Sequence, residues 1–458
     1  MKKPIKNHIL LPVLCAFLRL LLAGSAAAQT ITNLYTFSTY NGFRINSDGA
    51  LPKDLIMSSN TLYGTTIYGG STGVGTVFAI NTDGTGFASL YDFTGGGGGE
   101  WPGGELVLSG NTLYGATIGG GNGAGNLFAL NIDGSGFADL YDFTSAMLLG
   151  YTNSDGLAPN YLTLSGNTLY GTASEGGVYG NGTVFAVNTD GSGFTTLHNF
   201  GPPVRIGGTN SRNPDGTSPS CGVIISSNTL YGTAAWGGSF GFGTVFKLNS
   251  DGTGFKVLHS FTAPRGSAGT NIDGAYPGFL VIAGNTIYGT SSRGGSSGYG
   301  TVFKINTDGS GFTTLYGGIY GTGRLVLSGS TLYWMAGALL AINTDGTGLT
   351  TLYNGSTAGG VSVLSGNTLY GTSLRGGSSG TGFVFSFVIP PQLTLTSAGS
   401  NVVLAWPTNA TGFTLQTTTN LSPSAVWTTN LPSPVVVNGQ NVVTNPIAGI
   451  QQYFRLTQ

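Results

Sequence analysis

The sequence predicts an all-β fold: a seven-bladed β-propeller closed by its own N-terminal strand, followed by a small C-terminal β-sandwich. Three observations carry this expectation. A hexapeptide built around Leu-Tyr-Gly recurs seven times, glycine fills 81 of 458 positions, and Lys, Arg, Asp and Glu together supply only 7% of the chain. So little charge excludes coiled coils and solvated helical bundles, while 40% hydrophobic and 11% aromatic content excludes a disordered chain.

Taken in order, the chain opens with the marks of an export signal over residues 1–28. Lys2, Lys3 and Lys6 form a basic start, Ile9 to Leu22 an apolar stretch broken by Arg19, and Ala26-Ala27-Ala28 a small-residue cleavage site. Cleavage leaves twelve bases against seventeen acids, a net charge of −5, which offers no basic surface for nucleic acid or anionic membrane. Cys15 leaves with the signal, so Cys221 is alone and no intrachain disulfide is expected. The mature protein is expected to be a secreted or cell-surface monomer with no integral membrane segment.

The repeat follows. NTLYGT at Asn60 returns as NTLYGA at Asn111, NTLYGT at Asn167, Asn228 and Asn367, NTIYGT at Asn285 and STLYWM at Ser330. The tyrosines Tyr63, Tyr114, Tyr170, Tyr231, Tyr288, Tyr333 and Tyr370 are 51, 56, 61, 57, 45 and 37 residues apart, a period suited to propellers or solenoids. Each unit reads as four strands. Strand one is an apolar run such as LVLSG, strand two carries the tyrosine, strand three is GTVFAIN, and strand four is GFASLYDF. Gly-containing tips join one to two and three to four, and a GG-x-x-G-x-G loop joins two to three.

Strand four decides the topology. It follows six units, the seventh stopping after Phe383–Phe387, and the missing copy is LYTF at Leu34–Phe37. A ring closed by the N-terminal strand accounts for every element and leaves no raw edges. The propeller is expected over 29–388, a Pro linker over 389–391, and the sandwich over 392–458, where alternating segments suffice for about six strands.

The phrasing LYGT…GG…GTVF…N-x-Asp-Gly…Gly-Phe…L-Y/H-x-F, running from Ile31 to Phe387, resembles the GloVer-type tandem repeat of choice-of-anchor bacterial surface proteins. That resemblance implies export and a surface setting, and brings no assigned activity and no catalytic residues. The Trp406-Pro407 strand and Tyr453-Phe454-Arg455-Leu456 resemble a fibronectin type III module, which implies a spacer or docking role.

Comparison of the seven copies separates scaffold from cargo: what repeats holds the unit together, and what varies at a shared position can serve a ligand. The loops joining strands two and three and those joining units project from one face. Seven of the eight mature arginines and all three glutamates fall in segments forming that face, while the turn aspartates Asp83, Asp133, Asp190, Asp251, Asp308 and Asp345 fall on the other. Two variable rings are candidate ligand-binding positions. Before each GG pair stand Tyr68, Ile118, Glu175, Trp236, Arg293 and Arg375. Nine residues before each repeat tyrosine stand Asp54, Glu105, Tyr161, Gly222, Phe279, Arg324 and Val361, at the start of the strand expected to line the channel. Aromatics mixed with a few charges suit a glycan or a surface protein.

Candidate chemistry is sparse. Asn-x-Asp-Gly-x-x-Pro at Asn46, Asn153, Asn213 and Asn271 reads as a Pro-terminated turn, with calcium the alternative. His198 and His259 replace the strand-four tyrosine and are expected to pack there. No cofactor, metal or catalytic residue is assigned. The leading expectation is a non-enzymatic binding or structural protein; the alternative is a polysaccharide-cleaving enzyme with Asp54 and Glu105 at the channel mouth.

Overall fold

The computed structural model describes residues 31–146, 151–202, 204–206, 210–319, 323–355, 359–408, 412–422, 424–446 and 452–457; the expected export signal lies outside them. The fold is all-β, and its single helical element among the described residues is one 3-10 turn at Gly96–Gly98. Two compact units are present, one over Gln29–Pro390 and one containing Pro391–Gln458.

In the larger unit each repeat folds as an antiparallel four-stranded sheet. Sheet one comprises Ala50–Ser58, Thr61–Tyr68, Thr76–Asn81 and Ala88–Asp92. Sheet two is equivalent except that its first strand is split into Glu100–Pro102 and Val107–Ser109, both paired with Thr112–Gly119. Sheets three to six begin at Leu157–Ser165, Val223–Ser226, Ala275–Ala283 and Val326–Ser328. Sheet seven is Gly359–Ser365, Thr368–Ser373 and Phe383–Val388, and its fourth strand is Thr32–Thr36, paired antiparallel with Phe383–Val388. A small hairpin, Val204–Ile206 with Asn210–Arg212, stands in the connection from sheet three to sheet four.

The recurring residues explain why each repeat adopts this shape. The glycine of LYG is there for close approach: a Cβ on Gly64 would lie 2.6 Å from the ring of Phe78, its partner across strands two and three. Sheet six reverses the sizes, with Trp334 in the glycine position facing Leu340 in the phenylalanine position, and Trp334 is fully buried. At the outer hairpin Asp83 Oδ1 accepts from both the N–H (2.9 Å) and the hydroxyl (2.7 Å) of Thr85, and the same pair of bonds recurs at Asp133, Asp190, Asp251, Asp308 and Asp345. These aspartates hold turns, as their repetition predicts.

The core lies between successive sheets. Val77 and Phe93 of sheet one pack with Leu113 and Phe128 of sheet two, Tyr288 and Val302 of sheet five with Leu332 and Trp334 of sheet six, and Phe37, Tyr370 and Val384 of sheet seven with Leu55, Leu62 and Phe78 of sheet one. Each such buried side chain contributes about 1.5–3 kcal/mol. Aromatic stacking adds a second tie: Tyr35 lies flat on Phe87 of sheet one at 3.8 Å, Tyr91 on Phe137, Tyr141 on Phe194, His198 on Phe255 and His259 on Phe312. A third tie is backbone. Leu51, Trp101, Ala158, Ser218 and Tyr276, each just before a proline and each at φ between +54° and +58°, donate their N–H to a carbonyl in the loop of the preceding sheet; Leu51 reaches Thr381 of sheet seven at 2.8 Å.

The smaller unit has one sheet of Thr394–Ala398, Asn401–Pro407, Gln440–Pro446 and Val435–Val437 and a pair, Thr414–Thr418 with Tyr453–Thr457. Its core is Val402, Leu404, Trp406, Leu415 and Val443, and Arg455 stacks over Trp427 at 4.2 Å.

Candidate functional site

The second variable ring converges. Arg324, just ahead of the first strand of sheet six, places Nη2 2.5 Å from Glu105 Oε2 of sheet two and Nη1 3.9 Å from Asp54 Oδ2 of sheet one. Ser362 of sheet seven donates from Oγ to Asp54 Oδ1 at 3.2 Å. Tyr161 of sheet three meets Phe279 of sheet five edge to face at 4.7 Å, and Arg324 lies 5.7 Å over the Phe279 ring. A Cβ on Gly222 of sheet four would strike Tyr161 at 2.7 Å, so that position can only be glycine, and the neighbouring Cys221 feels the charges of Asp54 and Arg324. Every one of the seven sheets thus contributes to a single cluster.

Local structure places these groups. In sheets one, three and five the ladder between strands one and two slips at the ring position, between Pro52 and Leu55, Asn160 and Leu162, and Pro277 and Leu280. Such a bulge turns a side chain out of the regular alternation. The threonine of the LYGT phrase then holds the next sheet's ring segment: Thr65 donates to the Gly104 carbonyl, Thr233 to Gly278 and Thr290 to Gly323, in each case the residue before Glu105, Phe279 or Arg324.

The electrostatics are those of an enclosed but reachable site. The Asp54, Glu105 and Arg324 side chains are 14%, 16% and 25% exposed. Burial pushes the Glu105 carboxyl up to about 7 against the pull of Arg324. Burial alone would lower Arg324, but Glu105 and then Asp54 hold its guanidinium charged above the usual range. Burial, then the nearby Asp54 charge, raises Tyr161, and burial raises the Cys221 thiol to about 11. Lys53 is lowered by burial, with Asp54 opposing. Arg324 Nη1 is buried and has no hydrogen-bond partner.

Val361 departs from expectation. In sheet seven the slip falls one residue later, between Val361 and Val363, so Val361 pairs with Gly371 and fills the core place that Leu55 takes against Gly64, while Ser362 reaches the cluster. Polarity explains the shift, since the usual register would bury Ser362 and expose Val361 to charge. Ser362 and Cys221 are the members that counting back from the tyrosine misses; a one-residue allowance around that count, with a search for polar residues, finds both.

The first ring stays dispersed. Tyr68 lies beneath Arg44 at 3.8 Å. Trp236, 53% exposed, leans on Tyr276 at 4.4 Å. Exposed Glu175 borders an open depression of about 530 Å³ with Tyr151, Ser174, Asn181, Thr217 and Ser218. Arg293 and Arg375 are exposed. Among the described residues no hydrogen bond, ion pair or ring contact joins any two of Tyr68, Glu175, Trp236, Arg293 and Arg375.

The Asn-x-Asp-Gly-x-x-Pro oxygens are engaged by the protein itself. Asn46 Oδ1 accepts from the Gly49 and Gly70 N–H groups, and Asp48 accepts from Tyr35 Oη at 2.8 Å and from Ser38. Asp155 accepts from Tyr141 in the same way, and where histidine replaces that tyrosine His259 Nε2 lies 3.0 Å from Asp273 and His198 Nε2 3.5 Å from Asp215. These groups tie strand four to the loop that follows it.

Architecture and repeat define a class: an all-β protein made of tandem four-stranded units. The sequence profile of the Gloeobacter/Verrucomicrobia repeat matches residues 25–211 and 206–338, and the chain belongs to that family. No curated protein sequence matches it. Among solved structures it is similar to an oligogalacturonate lyase in complex with manganese (10% identity, 80% of this chain and 94% of that one, TM-score 0.47). It is also similar to a puromycin hydrolase mutant (11% identity, 82% and 62%, TM-score 0.48) and to an oligogalacturonate lyase from Vibrio parahaemolyticus (10% identity, 80% and 95%, TM-score 0.45). No helix among the described residues is long and apolar enough to cross a membrane.

Proposed function

We propose that the chain closes as a seven-bladed β-propeller, is exported to the cell surface or medium, and acts by binding, holding a glycan or a surface protein on the face built by its glycine-rich and sheet-to-sheet loops. Ring closure is supported by the pairing of Thr32–Thr36 with the last repeat and by the cluster to which all seven sheets contribute, with Arg324 among its members. Export rests on the leader-like composition of residues 1–28. The small C-terminal unit serves as a fibronectin type III-like spacer or docking module.

The observation that carries the binding reading is the distribution of exposed apolar side chains. Among the described residues of the larger unit, every exposed large hydrophobic except Leu349 sits in those loops or at the strand ends feeding them, including Phe43, Tyr151, Tyr179, Trp236, Ile272 and Tyr299. The opposite ends carry the exposed turn aspartates. An apolar, aromatic-rich face on a chain so poor in charge is a binding surface in physical terms. A glycan array with the wild type, Trp236→Ala and Tyr68→Ala tests the glycan form, with immobilised surface proteins for the other; binding unchanged in both variants removes this face as the site.

One arrangement favours a second reading, cleavage of polysaccharide: the Glu105 and Asp54 carboxylates both face the Arg324 guanidinium, at 2.5 and 3.9 Å, and burial raises Glu105 to about 7, the range a general acid uses. Reducing-end release from polysaccharides, abolished in Glu105→Gln and Asp54→Asn, would establish it over binding alone.

A further inference from the structure

We infer that the depression between sheets three and four is a subsite for neutral sugar units of a glycan, with Tyr151 stacking on a ring face and Glu175 accepting from its hydroxyls; this rests on the binding reading and names its place and ligand class. Two neighbouring boundaries share one backbone and differ in their side chains. Between sheets four and five the space is filled by three aromatics, the Tyr276 ring lying 4.4 Å from Trp236 and 5.8 Å from Phe242. Between sheets three and four the equivalent places hold Glu175, Asn181 and Ser218. The backbone matches: Ser218 donates to the Asn181 carbonyl at 3.0 Å as Tyr276 does to Phe242 at 2.9 Å, at φ +58° and +57°. Asn181 donates from its side chain to the Gly201 carbonyl at 2.7 Å. What three aromatics close at one boundary, three polar residues leave open at the next, as the depression of about 530 Å³.

That size falls in the range of small-ligand sites, about 300–1,000 Å³. The walls suit a sugar. Tyr151, 67% exposed, offers an aromatic face to ring C–H groups. The Glu175 carboxylate, which no hydrogen bond or ion pair engages among the described residues, can accept from adjacent hydroxyls, and Thr217 and Ser218 add hydroxyls that both donate and accept. Other chemistries fit less well. Among the described residues Glu175 is the only charged side chain lining the depression, so a uronate or sulfate would meet repulsion with no cation to answer it. An ammonium would gain little from an exposed carboxylate that water screens, and an apolar group would cover Glu175 without pairing it. The site also continues along the face. Thr217 and Trp236 exchange both backbone bonds, at 2.8 and 3.0 Å, which sets their side chains side by side, so a chain of sugars leaving the depression passes over the exposed Trp236 ring.

The test is calorimetric titration of the full mature chain with cellotriose, laminaritriose, mannotriose and xylotriose, with trigalacturonate as the acidic counterpart and a chitosan trimer as the cationic one. Ser218→Tyr carries the filling of the next boundary into the depression, at a φ that Tyr276 already adopts. Tyr151→Ala and Glu175→Gln change exposed side chains, and they decide the matter should Ser218→Tyr lower the melting temperature. The expected result is binding of at least one neutral trisaccharide, lost in Ser218→Tyr, weakened about tenfold or more in Tyr151→Ala and Glu175→Gln, and weakened in Trp236→Ala. Failure of every neutral sugar to bind, or tighter binding of either charged trimer, overturns the inference. Binding lost in Trp236→Ala yet unmoved by Tyr151→Ala and Glu175→Gln overturns it while leaving the loop-face reading intact, and binding unmoved by every variant removes both.

Discussion

Arg324 Nη2 stands 2.5 Å from Glu105 Oε2, although the two residues belong to sheets six and two. Slips in strand one carry the members from sheets one, three, five and seven, and strand-two threonine bonds hold the segments bearing Glu105, Phe279 and Arg324. Desolvation offsets much of the attraction in a buried ion pair, so such a pair is not retained for stability alone. Its retention is consistent with a use for polar atoms at the axis.

Glu105 makes stability fall as pH rises. Burial lifts its folded value to about 7 from an ordinary 4.5, so the folded state holds the proton more tightly than the unfolded chain. Its contribution is complete below about pH 4.5 and is lost as pH rises through about 7, on the order of a few kcal/mol. Melting temperatures from pH 5 to pH 8 should drop in the wild type and flatten in Glu105→Gln; equal slopes would refute the assignment. The turn aspartates act oppositely: hydrogen bonds from Thr or Ser lower them, so their contribution is present above the ordinary Asp value and lost as pH falls from there through their lowered folded values.

Phe37 tests closure. It is fully buried between sheets seven and one, against Phe78 at 5.3 Å. Phe37→Ala should cost about 3–5 kcal/mol in urea unfolding, as core aromatic truncations do. Removal of residues 29–38 should lower the melting temperature further, and an unchanged value would mean that the N-terminal strand does not hold the ring.

Trp334 and Leu340 predict a compensating pair. Trp334→Gly alone leaves a cavity costing about 3–5 kcal/mol. Adding Leu340→Phe restores the arrangement seen at Gly64 and Phe78, and should recover at least about 1 kcal/mol. A double variant no more stable than Trp334→Gly would show that the exchange of sizes is not local.

Much of this was legible because the chain repeats itself. Seven copies of one phrase reveal which residues are scaffold: the strand-two glycine, the turn aspartates and the strand-four aromatics each recur, and each has one repeated contact. The axial ring was readable by counting back from the tyrosines, and it failed at Val361 because a slip in pairing can move by one residue when polarity demands it. Cys221 escaped the same count because glycine occupies the ring position in sheet four. The loop ring was readable as variable but not as a site, since exposed side chains such as Arg293 and Arg375 take their geometry from a ligand rather than from neighbours in the chain.

The central claim is that one residue or more from every sheet meets at a single axial cluster, and a double-mutant cycle measures this most directly. Urea unfolding of Arg324→Gln, Glu105→Gln and the double variant should give a coupling of roughly 1–3 kcal/mol, the two single losses together exceeding the loss in the double variant. Additivity within about 0.5 kcal/mol, the behaviour of distant and independent sites, would contradict the account.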